Sequence, residues 1–340
     1  MSIVCKVLVG ICIIIIHSVL LLAQPRDTSF TVYGAALKVT NKYPEAKLVI
    51  PKLPKGIHQK KDIVYISYGS RKMHLDIYSP AIKKKLFPAV ILIHGGGWRS
   101  GNRQMETPMA LFLASHGYVA ATVEYRLSPE ALFPAALFDI KAAIKWIRSN
   151  SDKYNIDTNK IALYGCSSGG QLAALLGTSN DNPSAPNFDS SYSLGSVNNY
   201  HSSRVQAIID IDGVLDMTDP NESGKDTILS KPSAGKSWFG FSYKEKPDLW
   251  KEASALNCVN INSAPICFIN SSNPRFHAGR DEMISKLNKL NIYSEVHTIP
   301  NTPHEFWLFH PWFEIASAHI LKFLDKIFYP VPISSTTHPY

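Results

Sequence analysis

Cysteine is scarce in this sequence. The 340 residues include only 5 cysteines, and Cys5 and Cys12 fall within the first 23 residues. A small scaffold held together by several disulfides is therefore excluded. Of the remaining cysteines, Cys166 is expected to be a small buried thiol. Cys258 and Cys267 are the pair that can form one disulfide, if their geometry permits it.

Charged residues are also few, at 18%, and the sequence has no internal repeat or low-complexity tract. Apolar residues reach 45%, which is the composition of a folded globular protein and excludes a disordered chain. The net charge of +8 favours contact with anions, such as an acidic substrate, a membrane surface or nucleic acid. Because the lysines at 60–61 and 83–85 are not interleaved with aromatics, we predict no nucleic-acid groove and interpret the charge as solvated surface.

A long apolar run occurs only at the start, where Lys6 precedes the apolar residues 7–22 and small Ala23. This pattern predicts a signal peptide over residues 1–23, with a retained membrane anchor as the alternative. We therefore expect a secreted or periplasmic protein without a stable membrane anchor. The remaining divisions are an N-terminal arm over 24–60, a single large domain over 61–330 and a C-terminal tail over 331–340.

From residue 61 onward the pattern predicts an α/β fold. Residues 62–78 alternate apolar and polar around a turn, which indicates a hairpin at a sheet edge. Short apolar runs then alternate with helical patterns, as in parallel sheets with crossover helices. The polar segment 179–203 and the aromatic-rich segment 217–250 interrupt this alternation, and we expect loops or a cap there. Six further strands are predicted at 89–93, 119–123, 160–164, 205–211, 265–269 and 293–299, and helices at 137–148 and 312–328.

A glycine-flanked serine lies between a predicted strand and a predicted helix. Gly165 and Gly169 stand two residues before and two residues after Ser167. A nucleophile elbow requires small residues at these two places, because the strand and the helix approach closely there. Ser167 is therefore the candidate nucleophile.

A second glycine motif, His94-Gly95-Gly96-Gly97, ends an earlier predicted strand. Glycines let a turn present backbone N–H groups without side chains in the way, as an oxyanion hole needs. Gly96, Gly97 and the N–H of Ser168 are the candidate donors. A phosphate-binding loop is disfavoured because no lysine followed by serine or threonine closes the segment.

A serine nucleophile needs a base, which in this chain order should follow the last strand. His304 lies there, in the segment Pro303-His304-Glu305. His277 and His310 are the rival histidines, and we expect them to line the pocket or to satisfy local hydrogen bonds.

Taken together, these motifs resemble those of the α/β-hydrolase esterases with an HGGG oxyanion motif, which include hormone-sensitive-lipase-like and carbohydrate-esterase members. The resemblance covers most of residues 60–328 and extends to the segments 124–139 and 212–216. It implies an α/β-hydrolase fold: a mostly parallel eight-stranded sheet flanked by helices, with cap or loop insertions. In those two segments, Arg126, Glu130, Asp139 and Asp216 are expected in ion pairs or caps rather than in catalysis.

The sequence departs from this family at the acid that orients the histidine. The resemblance places that acid just after the seventh strand, but Asn273 stands where the aspartate is expected. An amide stabilises an imidazolium poorly, so we predict a shifted acid. Asp281 in the same loop is the candidate, with Asp216, Glu282 and an Asn273-based triad as the alternatives.

Arginines and aromatics are frequent in the loops around the predicted site. The candidate substrate-binding residues are Trp98, Arg275, His277, Arg280 and Trp307. Aromatic faces stack on sugar rings and arginine forks bind carboxylates, so the preferred substrate is an acetylated or methyl-esterified acidic polysaccharide such as pectin. A general short-chain acyl esterase or lipase, a catalytically weakened binding protein and a serine peptidase of the same fold remain as alternatives. No cofactor or metal is expected.

Overall fold

The computed structural model describes residues 27–82, 85–128, 130–180, 201–224 and 231–330. The predicted signal peptide, the C-terminal tail and most of the segment 179–203 lie outside these ranges. The strands are β1 Lys47–Leu48, β2 Ile57–Tyr68, β3 Arg71–Pro80, β4 Phe87–Ile93, β5 Val119–Val123, β6 Ile156–Cys166, β7 Ala207–Ile211, β8 Ile266–Asn270, β9 Ser294–Thr298 and β10 Phe309–His310. The α-helices are α1 Val32–Lys42, α2 Thr107–Ser115, α3 Ala135–Ser149, α4 Ser151–Tyr154, α5 Ser168–Thr178, α6 Pro220–Ser223, α7 Ala234–Phe239, α8 Pro247–Glu252, α9 Arg280–Lys289 and α10 Trp312–Phe328.

Eight of these strands form one sheet in the order β2-β3-β5-β4-β6-β7-β8-β9. β3 pairs antiparallel with β2 and β5, and every other pairing in this sheet is parallel. The predicted α/β-hydrolase fold and the hairpin at the sheet edge are confirmed, although the hairpin is longer than the pattern at 62–78. β2 begins at Ile57, within the range 24–60 predicted as the N-terminal arm.

The central strands are apolar because helices cover both faces of the sheet. All seven residues of β4 are buried, as expected for a strand in the middle of a parallel sheet. Val90 and Leu92 pack with α1, α2 and α10, whereas Ile91 and Ile93 pack with α3 and α5. The core therefore consists of two apolar layers, one on each side of the sheet.

The helices and ion pairs in this scaffold largely follow the sequence. α10 spans the predicted residues 312–328, and α3 extends its prediction by a few residues at its ends. Arg126 donates to both carboxylate oxygens of Asp139, and Arg71 donates to Glu130. Asp216 accepts from the N–H and the hydroxyl of Thr218. These contacts agree with the expected structural roles of the acidic residues.

The aromatic-rich segment 217–250 is partly core rather than wholly cap. It contains α6, α7 and α8, and Trp238 and Trp250 are fully buried. All three cysteines of the described ranges, Cys166, Cys258 and Cys267, are buried free thiols, so the Cys258–Cys267 disulfide is not formed. Within the described ranges, no helix is both long and apolar enough to cross a bilayer.

Candidate active site

Ser167 occupies the sharp turn between β6 and α5. Its φ of 55° lies in the left-handed region, which a non-glycine residue seldom adopts. A Cβ on Gly165 would lie 2.0 Å from the carbonyl oxygen of Gly169, and a Cβ on Gly169 would lie 2.2 Å from that of Ile93. No side chain fits at either position, so the two glycines allow the strand and the helix to meet behind the serine.

Three side chains form a continuous hydrogen-bonded chain at the carboxyl edge of the sheet. The Oγ of Ser167 is 2.9 Å from the Nε2 of His304, to which it donates. The Nδ1 of the same imidazole donates to the Oδ2 of Asp212 over 2.9 Å. This is the arrangement of a nucleophile, a base and the acid that orients the base.

Asp212 is fully buried directly after β7, and its second oxygen is also bonded. Oδ1 accepts from the backbone N–H of Ser271 over 2.7 Å, and the Nδ2 of Asn270 lies 3.5 Å away. Both donors belong to the end of β8 and the loop after it. A carboxylate held from two sides keeps one orientation, so it also fixes the imidazole of His304.

The prediction of Asp281 as the acid is therefore wrong. Asp281 is an exposed residue at the start of α9, where it accepts from the Nε of Arg280 over 2.8 Å. The exposure follows from its place in the first turn of a surface helix. Asp212 was assigned only to a structural segment, although an aspartate immediately after a buried strand is the signal that could have identified it.

The three alternatives to Asp281, two acids and one amide, are also engaged elsewhere. Asp216 accepts from Thr218, and Glu282 pairs with Lys286 one helical turn away. The Oδ1 of Asn273 accepts from the N–H of Arg275 at the start of a short 3₁₀ helix, Pro274–His277. None of the three occupies the position beside the Nδ1 of His304 that Asp212 fills.

The glycine turn after β4 packs directly on the elbow. A Cβ on Gly95 would lie 2.9 Å from the carbonyl oxygen of Cys166 and 3.3 Å from the Cβ of Ser167. Gly96 and Gly97 have φ angles of 122° and 61°. The backbone N–H groups of Gly96, Gly97 and Ser168 donate to no other residue in the described ranges. The three N–H groups predicted for an oxyanion hole therefore have no hydrogen-bond acceptor among the described residues, and their role as its donors stays a prediction.

Aromatic rings hold His304 from two sides. Phe276 stacks on the imidazole with the ring centroids 3.7 Å apart, and Trp307 approaches it edge-on at 5.2 Å. Trp307 is itself buried. Its predicted role as a sugar platform is therefore replaced by packing against the base.

Trp98 is not available to a substrate either. Its indole is buried and stacks on Trp238 at 4.7 Å, and its Nε1 donates to Gln171. Because Trp98 directly follows the glycine turn, this packing anchors the turn to α5 and α7. The sequence prediction of a substrate-binding Trp98 does not agree with this burial.

The arginines and the histidine of the loop after β8 are engaged within the protein. Arg275 binds both carboxylate oxygens of the buried Glu222. Arg280 donates to the Oδ1 of Asn270 over 3.0 Å, and His277 lies 3.0 Å from the carbonyl oxygen of Ser271. These three predicted substrate-binding residues thus support the loop that holds Asp212.

Two further carboxyl groups are buried near the elbow. Burial raises the pKa of Asp210 to about 8, and the nearby charge of Asp212 acts in the same direction. Burial also raises the pKa of Glu106 to about 8, while hydrogen bonds from Tyr164 and Cys166 oppose the shift. Both groups are therefore mostly protonated at neutral pH.

An open cavity of about 640 Å³ lies beside His304. α1 contributes Lys38 and Lys42 to it, and the loop after β8 contributes Asn273. Of the described residues that line it, the charged ones are these two lysines and Glu305, so this lining carries a net positive charge. The size is that of a typical small-molecule site and is sufficient for a sugar unit.

Comparison with known proteins places this geometry in context. A family model described as BD-FAE matches residues 75–284. The Mycobacterium tuberculosis esterase LipC is 32% identical over 190 residues, which are 54% of this chain and 44% of LipC. Esterase LipQ from the same organism is 29% identical over 246 residues, which are 70% of this chain and 53% of LipQ. The chain thus spans about half the length of these curated relatives.

Solved structures give the same picture of the fold. A truncated form of a carbohydrate esterase from gut microbiota has a TM-score of 0.67 at 26% identity, covering 81% of this chain and 98% of that one. A thermophilic esterase from the Planctomycetes species Thermogutta terrifontis has a TM-score of 0.63 at 20% identity, covering 85% of this chain and 98% of that one. The second likeness concerns the fold alone.

Proposed function

The chain belongs to the BD-FAE family and has the α/β-hydrolase fold, and on this basis we propose that it is a serine carboxylic ester hydrolase acting through an acyl-enzyme. The observation that carries the proposal is the hydrogen-bonded chain from Ser167 through His304 to Asp212. An ester hydrolase needs a serine that a base can deprotonate and an acid that holds this base in the right tautomer.

The reaction follows from these contacts. The Oγ of Ser167 attacks the ester carbonyl while the Nε2 of His304 takes its proton, and Asp212 stabilises the imidazolium that forms. The tetrahedral intermediate collapses when His304 gives this proton to the leaving alcohol, which breaks the ester bond and leaves the acyl group on Ser167. Water then attacks the acyl-enzyme, with His304 again as base, and releases the acid and the free serine.

Backbone donors stabilise the negative charge that develops on the carbonyl oxygen. Gly96, Gly97 and Ser168 supply them, and the N-terminus of α5 adds its favourable dipole. Loss of one such donor lowers the turnover of comparable enzymes by about 10²- to 10³-fold.

The activity is tested with an active-site label and a small ester. The wild type is expected to react with a fluorophosphonate and to hydrolyse p-nitrophenyl acetate, whereas Ser167→Ala should lose the label and about 10⁴-fold or more of the turnover. His304→Ala should lose most of the turnover, while His310→Ala, at a surface pair with Glu314, serves as the matched control. An unlabelled and inactive wild type would instead support a hydrolase-fold binding protein.

The substrate is an acylated sugar, most simply an acetylated polysaccharide. His304 returns its proton to the leaving alcohol, so the alcohol side of the ester lies on the His304 side of the site, and His304 is also part of the lining of the cavity of about 640 Å³. A cavity of this size on that side favours a sugar as the alcohol, and hence acetyl removal over methyl-ester cleavage. The likeness to a carbohydrate esterase from gut microbiota supports this choice.

The sugar is acidic, as in a pectin-like polymer, because the cavity carries Lys38 and Lys42. These exposed lysines take the role that the sequence pattern gave to arginines. A carboxylate on the sugar would be attracted to them with a modest, salt-dependent energy.

Ester release separates these possibilities. Acetylated pectin should yield acetate rather than methanol, and Lys38→Ala/Lys42→Ala should raise its KM several-fold without changing the KM for neutral acetylated xylan. Lys60→Ala/Lys61→Ala removes the same charge from β2 and serves as the control. Release of methanol instead of acetate would show that the sugar supplies the acyl part of the ester rather than the alcohol part. Activity confined to small acyl esters would favour a general short-chain esterase or lipase.

The protein is secreted or periplasmic after removal of residues 1–23, as the apolar run and Ala23 indicate. N-terminal sequencing of the protein recovered outside the producing cell tests this. A mature chain that begins at Gln24 is the expected result. An intact, membrane-associated N-terminus would support the anchor instead.

A further inference from the structure

Three side chains that commonly bind metal ions converge on one face of the sheet at its β9 edge. Cys267 lies on β8 and pairs in register with Glu295 on β9, and His297 follows two residues later on the same face. The sulfur, a carboxylate oxygen and an imidazole nitrogen of these residues all lie within 4.8 Å of one another. The catalytic proposal uses none of the three.

Neighbouring groups complete the cluster. His319 on α10 stacks on the imidazole of His297 with the ring centroids 3.8 Å apart, so a second imidazole lies directly beside the three grouped donors. The nearest oxygen of Glu295 lies 3.0 Å from the Nε2 of His297. Tyr293 donates to the other oxygen of Glu295 and accepts from Lys326, which fixes the carboxylate.

We propose that Cys267, Glu295, His297 and His319 form a binding site for a divalent transition-metal ion, with Zn²⁺ as the best match. One thiolate, one carboxylate and two imidazoles are ligands that Zn²⁺ takes in tetrahedral sites. With bonds of about 2.0–2.3 Å, the donors in such a site lie about 3.3–3.8 Å apart, so shifts of about 1 Å bring the three grouped donors into place. The thiolate and the carboxylate together neutralise the dication.

Binding requires proton release, and the balance is simple. Cys267 must lose the proton of its thiol, which passes to the solvent as the sulfur–metal bond forms, and both histidines bind in their neutral form. No oxidation or reduction takes place. The ion therefore links β8, β9 and α10 without a further reactant.

The position of the site indicates a stabilising role. Among the described strands, β9 is the outermost of the sheet and pairs with β8 alone, and the chain continues from β9 into the loop that carries His304. A metal ion that joins this strand to α10 would oppose fraying at the edge. Since the ion binds the folded chain in preference to the unfolded one, it should raise the melting temperature.

Cobalt provides the most direct test, because a Co²⁺–thiolate bond has a charge-transfer absorption in the near ultraviolet that nitrogen and oxygen ligands do not give. Co²⁺ added to the metal-free full-length protein should produce this band with a stoichiometry of one, and Zn²⁺ should remove it by displacement. Zn²⁺ should also raise the melting temperature by several degrees. Cys267→Ser should abolish the band, whereas Cys258→Ser, at the other buried thiol outside the elbow, should retain it.

The histidines distinguish this site from adventitious binding at the surface. His297→Ala and His319→Ala should each weaken Zn²⁺ binding at least tenfold, and both variants are expected to fold because the two side chains are only half-buried. Absence of the band in the folded wild type would overturn the proposal. A Zn²⁺-dependent rise in melting temperature that persists in Cys267→Ser would overturn it as well, since the thiolate would then not be a ligand.

Discussion

The loops after β7 and β8 leave the same edge of the sheet, but the aspartates that follow the two strands lie in opposite environments. The first buries Asp212 and points it at His304, whereas the second exposes Asp281 to solvent beside Arg280. The second loop nevertheless contributes to the site, because its backbone N–H at Ser271 binds the carboxylate from the first. One loop supplies the carboxyl group and the other supplies donors that hold it.

This division has a physical reason. A carboxylate that stabilises an imidazolium acts most strongly where water is excluded, but a buried charge must be fully hydrogen-bonded to be tolerated. Asp212 meets both conditions through His304 and Ser271. An exposed aspartate at the first turn of α9 meets neither, since solvent screens its charge. Burial together with donors, rather than the identity of the loop, therefore selects the acid.

The contrast is tested most strongly by replacing each aspartate with asparagine. Asp212→Asn should lower kcat for p-nitrophenyl acetate by about 10⁴-fold, because the amide favours the wrong imidazole tautomer and cannot stabilise its cation. Asp281→Asn should stay within twofold of the wild type. Stopped-flow or steady-state kinetics on the two purified variants provide the comparison.

If Asp281→Asn lowered kcat far more than Asp212→Asn, Asp281 would be the acid instead. Fluorophosphonate labelling distinguishes a slow but folded Asp212→Asn enzyme from an unfolded one, because the folded variant should still be labelled, though slowly. Asn273→Asp serves as a further control and should not rescue Asp212→Asn, since the side chain at that position binds the N–H of Arg275.

Asp210 lies on β7, two residues before Asp212. Burial raises the pKa of Asp210 to about 8, against 3.8 for an ordinary aspartate, so between these values the folded chain holds a proton that the unfolded chain has lost. The free energy of unfolding must then fall as pH rises, by about 1.4 kcal/mol per pH unit for this group, until the pH passes about 8. Asp210→Asn should remove this contribution to the slope. Urea unfolding between pH 6 and 9 measures it.

The variant Asp210→Asn also tests whether the two aspartates differ in their importance for kcat. Asparagine has the shape of a protonated aspartate and can still accept from the N–H of Gly213, as Asp210 does over 2.9 Å. Asp210→Asn should therefore keep kcat at pH 7 within about threefold of the wild type, two residues from a position where the same change is severe. An unchanged pH slope would mean that Asp210 is ionised in the folded protein.

A smaller effect on kcat is expected when the hydrogen bond from Arg280 to Asn270 is removed. Arg280 binds Asn270, and Asn270 lies against both Asp212 and the carbonyl oxygen of Phe276. Arg280→Met should let this end of β8 relax and lower kcat about tenfold, equivalent to about 1.4 kcal/mol, with little change in KM. Arg280→Lys should recover part of the loss. A change in KM alone would indicate contact with substrate instead.

The sequence was sufficient for the features that local pattern determines. The span of α10 and the central strands follow from apolar periodicity, and Gly165 and Gly169 follow from the steric demands of the turn around Ser167. The position of Asp212 directly after β7 is a sequence signal for an acid, but the choice between Asp212 and Asp281 depends on contacts between separate loops. Nothing near Asp212 in the chain shows that the N–H of Ser271, 59 residues away, will bind it. The family resemblance drew attention to the loop after β8.

Contacts between distant segments also explain why the predicted substrate-binding role of the arginines does not agree with the structure. The cluster of Arg275, His277 and Arg280 in one loop predicts a site for an acidic sugar. Sequence does not reveal, however, which cations already have anionic partners. Glu222 lies 53 residues before Arg275 and yet binds it through two hydrogen bonds. Lys38 and Lys42, in the arm that was assigned no functional residue, lie beside His304 instead.

The smallest expected effect is at this Arg275–Glu222 pair. Removing only the arginine would take two hydrogen bonds away from a buried carboxylate, so the two residues are best replaced together as Arg275→Gln/Glu222→Gln. Because the guanidinium is occupied by Glu222, the KM for acetylated pectin should change less than twofold, in contrast to the several-fold rise expected for Lys38→Ala/Lys42→Ala. Arg275 is 39% exposed, however, so its outer edge can meet solvent. A rise in KM comparable to that of the lysine variant would show that this edge also binds the sugar, and that the loop after β8 both supports Asp212 and contacts substrate.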